Sequence, residues 1–262
     1  VYFLFKMQIV RYKKKDYQRF GKLQDGGITP FITGNDPYNC DLGDGCFDVN
    51  NQFNLKECEL ISPISPTKII GVALNYPGVS GNLDSQKPLI FLKASNAIIS
   101  SKSRVTLPRD LKAWGESELG VIIKQKIINI SASEVKDYIL GYTIVNDITC
   151  HNTEGRDHHL ARSKNQDGFC PTGDYIETNF SYKNKMIRAY QNDHLLREGN
   201  TNDMIFDVDI IIEYVSSFMT LYPGDLIITG APPRVREKVY LAKDDTYRIS
   251  IEGFEDIETK FL

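Results

Sequence analysis

The sequence is short of the features that mark secreted, membrane or nucleic-acid-binding proteins. Its 262 residues include five cysteines, four histidines and one tryptophan. The cysteines (Cys40, Cys46, Cys58, Cys150 and Cys170) are odd in number, scattered and without a C-x-x-C pair. That pattern argues against a disulfide framework and against a structural zinc site, so a reduced, cytoplasmic setting is the expectation. No apolar run approaches the length needed to span a bilayer. The opening stretch 1–5 is apolar, but it has no basic residues ahead of it, is cut by Lys6 and leads to no small-residue cleavage site. No signal peptide is expected, and residues 1–6 read as an extension ahead of a true start at Met7. Excess positive charge is missing too. The 31 Lys and Arg against 34 Asp and Glu give a net charge of −3, which leaves no global basic field for nucleic acid or an anionic membrane. Lys13-Lys14-Lys15 reads as a solvated strand end.

What is present suits a soluble globular chain: 41% hydrophobic and 25% charged residues, enough for a sizeable core. From Met7 to about Leu60, short β-like runs (8–12, 28–33 and 53–60) alternate with Asp25-Gly26-Gly27 and the loop 34–45, which predicts a small N-terminal β-rich module. Ser62-Pro63-Ile64-Ser65-Pro66 is the best linker, because each proline disfavours helix before it and breaks ladder pairing. The expected division is therefore 1–66 and 67–262. Strands are predicted over 68–74, 89–93, 116–123, 142–149 and 226–229. Ser131-x-x-Glu134 is a capping box that predicts a helix over 132–140, stopped by Gly141. A second helix is predicted over 207–219, a hairpin over 185–197, and a last hairpin turning at Asp244-Asp245 between 239–241 and 247–251. Strands dominate, so the fold class is mainly β, or α+β.

Within the strand 116–123, Glu116 and Glu118 are two residues apart, so strand alternation sends both carboxylates to one face. On an otherwise apolar strand their repulsion must be offset by protonation, by basic partners or by a bound cation, and a hard oxygen-seeking ion such as Mg2+ suits two carboxylates. Asp147, near the end of another apolar strand, could supply a third oxygen ligand. Trp114, beside the pair, reads as packing. The long polar segment 150–166 carries His151, His158 and His159 and has the length of a functional loop.

Several motifs in order then resemble the fumarylacetoacetate hydrolase superfamily over about residues 67–262. They are Asn75-Tyr76, Lys93, Glu116-x-Glu118, Gly141-Tyr142-Thr143 with Asn146-Asp147, Lys164-x-x-Asp167 with Phe169-Cys170-Pro171-x-Gly173, and Pro223-Gly224-Asp225 with Thr229-Gly230-x-Pro232. Within it, His151 and the stretch 166–171 are most similar to the branch of 5-oxopent-3-ene-1,2,5-tricarboxylate decarboxylase and 2-hydroxyhepta-2,4-diene-1,7-dioate isomerase, which serves aromatic-compound catabolism. The resemblance implies a mixed β-sandwich roll that pairs as a homodimer. It also implies a Mg2+ or Mn2+ site on Glu116, Glu118 and Asp147, and 2-oxo or 2-hydroxy-dienoic acid substrates. Lys164 matches the family's active-site lysine, and Thr229 and Gly230 match the loop that holds the substrate carboxylate. The sequence departs from the pattern at one place. Many hydrolytic members carry His and Glu after Asn-Tyr, where this chain has Val79 and Asn82, and neither can take a proton near neutral pH.

The expected chemistry is therefore a metal-stabilised enolate that leads to decarboxylation or isomerisation of unsaturated 2-oxo di- or tricarboxylic acids. An acylpyruvate hydrolase or oxaloacetate decarboxylase of the same superfamily is the enzymatic alternative. A catalytically silent 2-oxo acid binding protein is the alternative of another class. His151 is the expected proton-transfer group. Asn75, Tyr76 and Arg162 join Thr229 and Gly230 as substrate-binding candidates, with Arg197 a further partner for a distal carboxylate.

Overall fold

The computed structural model describes residues 7–79, 87–152 and 155–262. The readings on residues 1–6 and on Asn82 lie outside them. Among the described residues, no helix is long and apolar enough to cross a membrane.

The main sheet has 13 strands among the described residues. Its central path runs Tyr175–Glu177, Ile139–Asn146, Ser117–Ile123, Leu226–Ile228, Ile69–Ala73 and Leu89–Lys93. The N-terminal strands extend the same sheet, because Gln8–Lys14 pairs antiparallel with both Tyr17–Gln24 and Tyr175–Glu177. A five-stranded sheet holds His194–Asn200, Met186–Gln191, Thr246–Ile251, Ile257–Phe261 and Arg104–Val105 in that order. The central strands are apolar on both faces: every residue of Ser117–Ile123 is buried, with Leu119, Val121, Ile122 and Ile123 in the core. A slip of one residue would carry the buried Glu118 to the opposite face, so the acid helps to specify the register. The fold is the mainly β architecture expected.

Local structure departs from expectation in several places. The capping box forms, with Glu134 accepting from the Ser131 N–H at 2.9 Å, but it opens a 3-10 helix over Ala132–Tyr138 rather than an α-helix. Only Val135 of that segment is buried, and the chain must turn at once into Ile139–Asn146, so no apolar stripe supports a longer helix. Gly141 lies inside the strand, where a Cβ would sit 2.5 Å from the Glu177 carbonyl oxygen. The run 53–60 is broken by a 3-10 turn capped by Asn54, and 239–241 is not a strand. Thr246–Ile251 forms its hairpin with Ile257–Phe261 instead, where buried and exposed side chains alternate. Cysteine pairing is also corrected: Cys40 and Cys46 form a disulfide, with Cα atoms 6.3 Å apart. Left-handed Leu42 and a Gly43 N–H donated to Asp41 Oδ1 fold the loop back on itself, which the spacing alone does not reveal. Cys58, Cys150 and Cys170 are free.

Candidate active site

Strand register assembles the acidic centre. Ser117 lies opposite Asn146, so the next positions outward, Glu116 and Asp147, face each other across the end of the ladder. The Asp147 N–H donates to the Glu116 carbonyl at 2.9 Å, and the Glu116 N–H donates to Asn146 Oδ1 at 3.2 Å. Glu118 projects to the same face by alternation. One carboxylate oxygen from each of Glu116, Glu118 and Asp147 lies within 4.8 Å of the others.

Three cations meet these acids. Lys93, from the end of Leu89–Lys93, reaches Asp147 Oδ1 at 2.7 Å, and both side chains are fully buried. Lys164 ends the short helix Ala161–Lys164 and binds Asp147 Oδ2, Glu116 Oε2 at 3.2 Å and Thr149 Oγ1 at 2.6 Å. Arg197, from the second sheet, donates to Glu116 Oε1 at 2.8 Å and to the Pro232 carbonyl at 2.6 Å. Trp114 Nε1 donates to the same Glu116 oxygen at 3.1 Å, so the tryptophan is a partner of the acid and not packing alone.

The electrostatics single out Glu118. Burial pushes the Glu116 carboxyl up, but the Lys164 and Arg197 charges outweigh it and hold that carboxyl at about 2. Glu118 makes no ion pair among the described residues; its Oε2 accepts the Gly230 N–H at 2.6 Å. Burial and the neighbouring Asp147 charge push it well above the ordinary carboxylate value. Burial opposes the charge of Lys164, and the three carboxylates more than restore it, so the side chain is held as an ammonium. Three oxygen donors with one carboxylate lacking a counter-charge fit a hard divalent cation, which would favour the ionised form of Glu118.

The remaining expected residues divide. Leu226–Ile228 leads to Thr229, whose N–H donates to the Leu119 carbonyl, and then to Gly230 at Glu118. Gly230 has φ +93°, and a Cβ there would meet Asn75 Cβ at 2.9 Å and the Val72 carbonyl oxygen at 3.0 Å. Asn75 spans this loop, donating to the Thr229 and Phe206 carbonyls at 2.9 and 3.0 Å. The Tyr76 hydroxyl is buried without a hydrogen-bond partner among the described residues, and burial followed by the Glu118 charge raises its pKa. These four therefore gather at the acidic centre. Arg162 does not: it is exposed and paired with Asp110 at 2.6 Å. His151 is exposed and shares a cavity of about 370 Å³ with Arg162 and Asp110. It stands two aromatic rings from Glu116, stacked on Tyr240 at 6.5 Å, which meets Trp114 edge-on at 6.3 Å. Of the other candidates, His158 and His159 are exposed, Val79 packs against the core, and Arg197 is 2% exposed.

Residues 68–262 match the fumarylacetoacetate (FAA) hydrolase C-terminal family, and the chain belongs to it. It resembles 2-hydroxyhepta-2,4-diene-1,7-dioate isomerase from Mycobacterium marinum, with a TM-score of 0.84 and 29% identity over 98% of each chain. It is 32% identical to oxaloacetate tautomerase Fahd2a from Rattus norvegicus, over 77% of this chain and 69% of that one. It is 34% identical to 2,4-didehydro-3-deoxy-L-rhamnonate hydrolase from Sphingomonas sp., over 71% and 70%. These relatives are enzymes whose named reactions include isomerisation, tautomerisation and hydrolysis, so the choice among them rests on the site.

Proposed function

We propose that the chain is a divalent-cation-dependent decarboxylase or isomerase of unsaturated 2-oxo di- or tricarboxylic acids, working through an enolate. The observation that supports this most is the gathering of Glu116, Glu118 and Asp147 within 4.8 Å around a buried lysine. Those three carboxylates would hold Mg2+ or Mn2+. The ion, when bound, supplies Lewis-acid polarisation of the 2-oxo oxygen. Lys164 Nζ adds a fixed positive charge beside the same carboxylates, which favours negative charge that develops only as CO2 or a proton leaves the substrate. The Tyr76 hydroxyl, without a hydrogen-bond partner among the described residues, would donate to a substrate oxygen, and the buried Thr229-Gly230 turn forms the wall near Glu118. The sequence 75–82 lacks the His and Glu that would activate water, which favours enolate chemistry over C–C hydrolysis.

Product analysis tests this reading. Incubation with Mg2+ and an unsaturated 2-oxo dicarboxylate is expected to release CO2 or yield an isomer, without a carboxylic acid fragment from C–C cleavage. Appearance of that fragment would assign the chain to the hydrolases. Glu116→Ala removes one oxygen ligand and is expected to lower Mg2+-dependent turnover by about 100-fold or more. Full activity in that variant would refute the site.

A further inference from the structure

The acidic centre opens to solvent on its Glu116 side: the Glu116 side chain is 20% exposed, whereas those of Asp147 and Lys93 are fully buried. The segment following the Thr229-Gly230 turn runs along that edge. Arg234 forms an antiparallel bridge with Arg197, the residue bound to Glu116. Four residues on, Lys238 Nζ lies 3.6 Å from the centre of the Trp114 ring, whose Nε1 donates to Glu116. The chain then returns through Tyr240 to donate the Leu241 N–H to the Ala113 carbonyl at 2.8 Å, which fixes the segment against Trp114. Arg234 and Lys238 are both exposed, and among the described residues neither is ion-paired. Elsewhere in the site each cation has its acid: Lys93 and Lys164 hold Asp147, and Arg197 holds Glu116.

The one acid whose charge favours both cations is Glu116, and it is already ion-paired with Arg197 and Lys164. Burial and then neighbouring positive charge, Arg197 on Arg234 and Arg234 on Lys238, lower both pKa values although the Glu116 charge opposes this, so positive charge is in excess at this edge. Such a field favours an anion brought from outside. Guanidinium and ammonium groups spaced along one edge match a carboxylate at the far end of a molecule whose near end lies at Glu116, Glu118 and Asp147.

We propose that Arg234 and Lys238 are specificity residues that bind the distal carboxylate of the substrate, so that the enzyme selects 2-oxo acids carrying a second carboxylate several carbons from the first. This rests on the 2-oxo acid reading above. It also takes that role away from Arg162, which is committed to Asp110, and from Arg197, which is committed to Glu116. The Trp114 ring orients Lys238 by a cation–π contact and offers an apolar surface for the intervening carbon chain.

The test compares two ligands of equal length, 2-oxoadipate and 2-oxohexanoate, which differ only in the distal carboxylate, with oxalate as a ligand that has no distal end. Affinities are measured by calorimetry with Mg2+ present. The wild-type chain is expected to prefer 2-oxoadipate by about tenfold or more, the equivalent of one good charge-assisted contact. In the double variant Arg234→Gln/Lys238→Gln that preference should fall to about twofold or less, while oxalate and 2-oxohexanoate bind as before. Unchanged oxalate binding also shows that the variant is folded. Binding of all three ligands without a preference, or a preference that survives the double substitution, overturns the assignment of Arg234 and Lys238 and leaves the 2-oxo acid reading standing. Failure of the wild-type chain to bind any of them overturns that reading and this proposal together.

Discussion

At the scale of single residues, Glu118 shows how the site is poised. Among the described residues it is the carboxylate of the three that makes no ion pair, and burial and the Asp147 charge push it well above the ordinary carboxylate value. A group whose folded pKa is raised contributes stability fully present below its ordinary value, here 4.5, and loses it as pH rises through the folded value. The metal-free protein should therefore weaken above about pH 4.5 on account of Glu118. Glu116 has the opposite sign: held at about 2, it stabilises the fold above 4.5 and loses that contribution as pH falls through 2. Glu118→Gln keeps an oxygen for the Gly230 N–H but removes the carboxyl whose ionisation the buried site opposes. It is expected to raise the neutral-pH stability of the metal-free chain by about 1 kcal/mol, or about 2–4 °C in Tm. The same variant should lose the stabilisation that Mg2+ gives the wild type. Thermal melts with and without Mg2+ check both halves, and a variant that is destabilised yet still responds to Mg2+ would contradict the role given to Glu118.

Among elements, the strand Ile69–Ala73 supports the site from behind. Gly71 lies opposite Phe91, and a Cβ at Gly71 would fall 2.1 Å from that ring. The Phe91 ring in turn sits 4.5 Å from Lys164 Nζ. Gly71→Ala should therefore displace Phe91, cost about 1–3 kcal/mol by overpacking and reduce turnover by moving Lys164. Chemical denaturation and an activity assay on the same sample check this, and a variant with wild-type stability and turnover would show that the contact is dispensable. The sequence made the acidic strand legible because alternation is local: Glu116 and Glu118 share a face whatever surrounds them. It does not show that Lys93 and Arg197, the latter read as a partner for a distal carboxylate, pair with the acids, because they reach them from separate strands, 54 and 81 residues away in sequence. Trp114 reads as packing in the sequence because nothing there shows where an indole N–H points. The helix expected over 132–140 failed for a related reason, since a capping box specifies how a helix starts and not how far it runs.

For the whole molecule, the site is a product of sheet topology. The end of one ladder brings together Glu116, Glu118 and Asp147, the antiparallel neighbour strand Leu226–Ile228 delivers Thr229 and Gly230, and the second sheet contributes Arg197. The main sheet also runs without a break into the N-terminal strands through the pairing of Gln8–Lys14 with Tyr175–Glu177. Motif order along the chain was sufficient to indicate the mainly β class, but not these long-range pairings, nor the Cys40–Cys46 disulfide or the last hairpin's true partner. We propose that this assembly forms enolates of 2-oxo acids with a divalent cation held by the three carboxylates. Proton NMR in D2O reads that step directly, as loss of the C3 proton signal of 2-oxo acids of increasing length. Exchange should be faster with protein and Mg2+ than with Mg2+ alone, stop on chelation by EDTA, and fall to the protein-free rate in Asp147→Asn. Exchange no faster than the protein-free control across the whole series would contradict it.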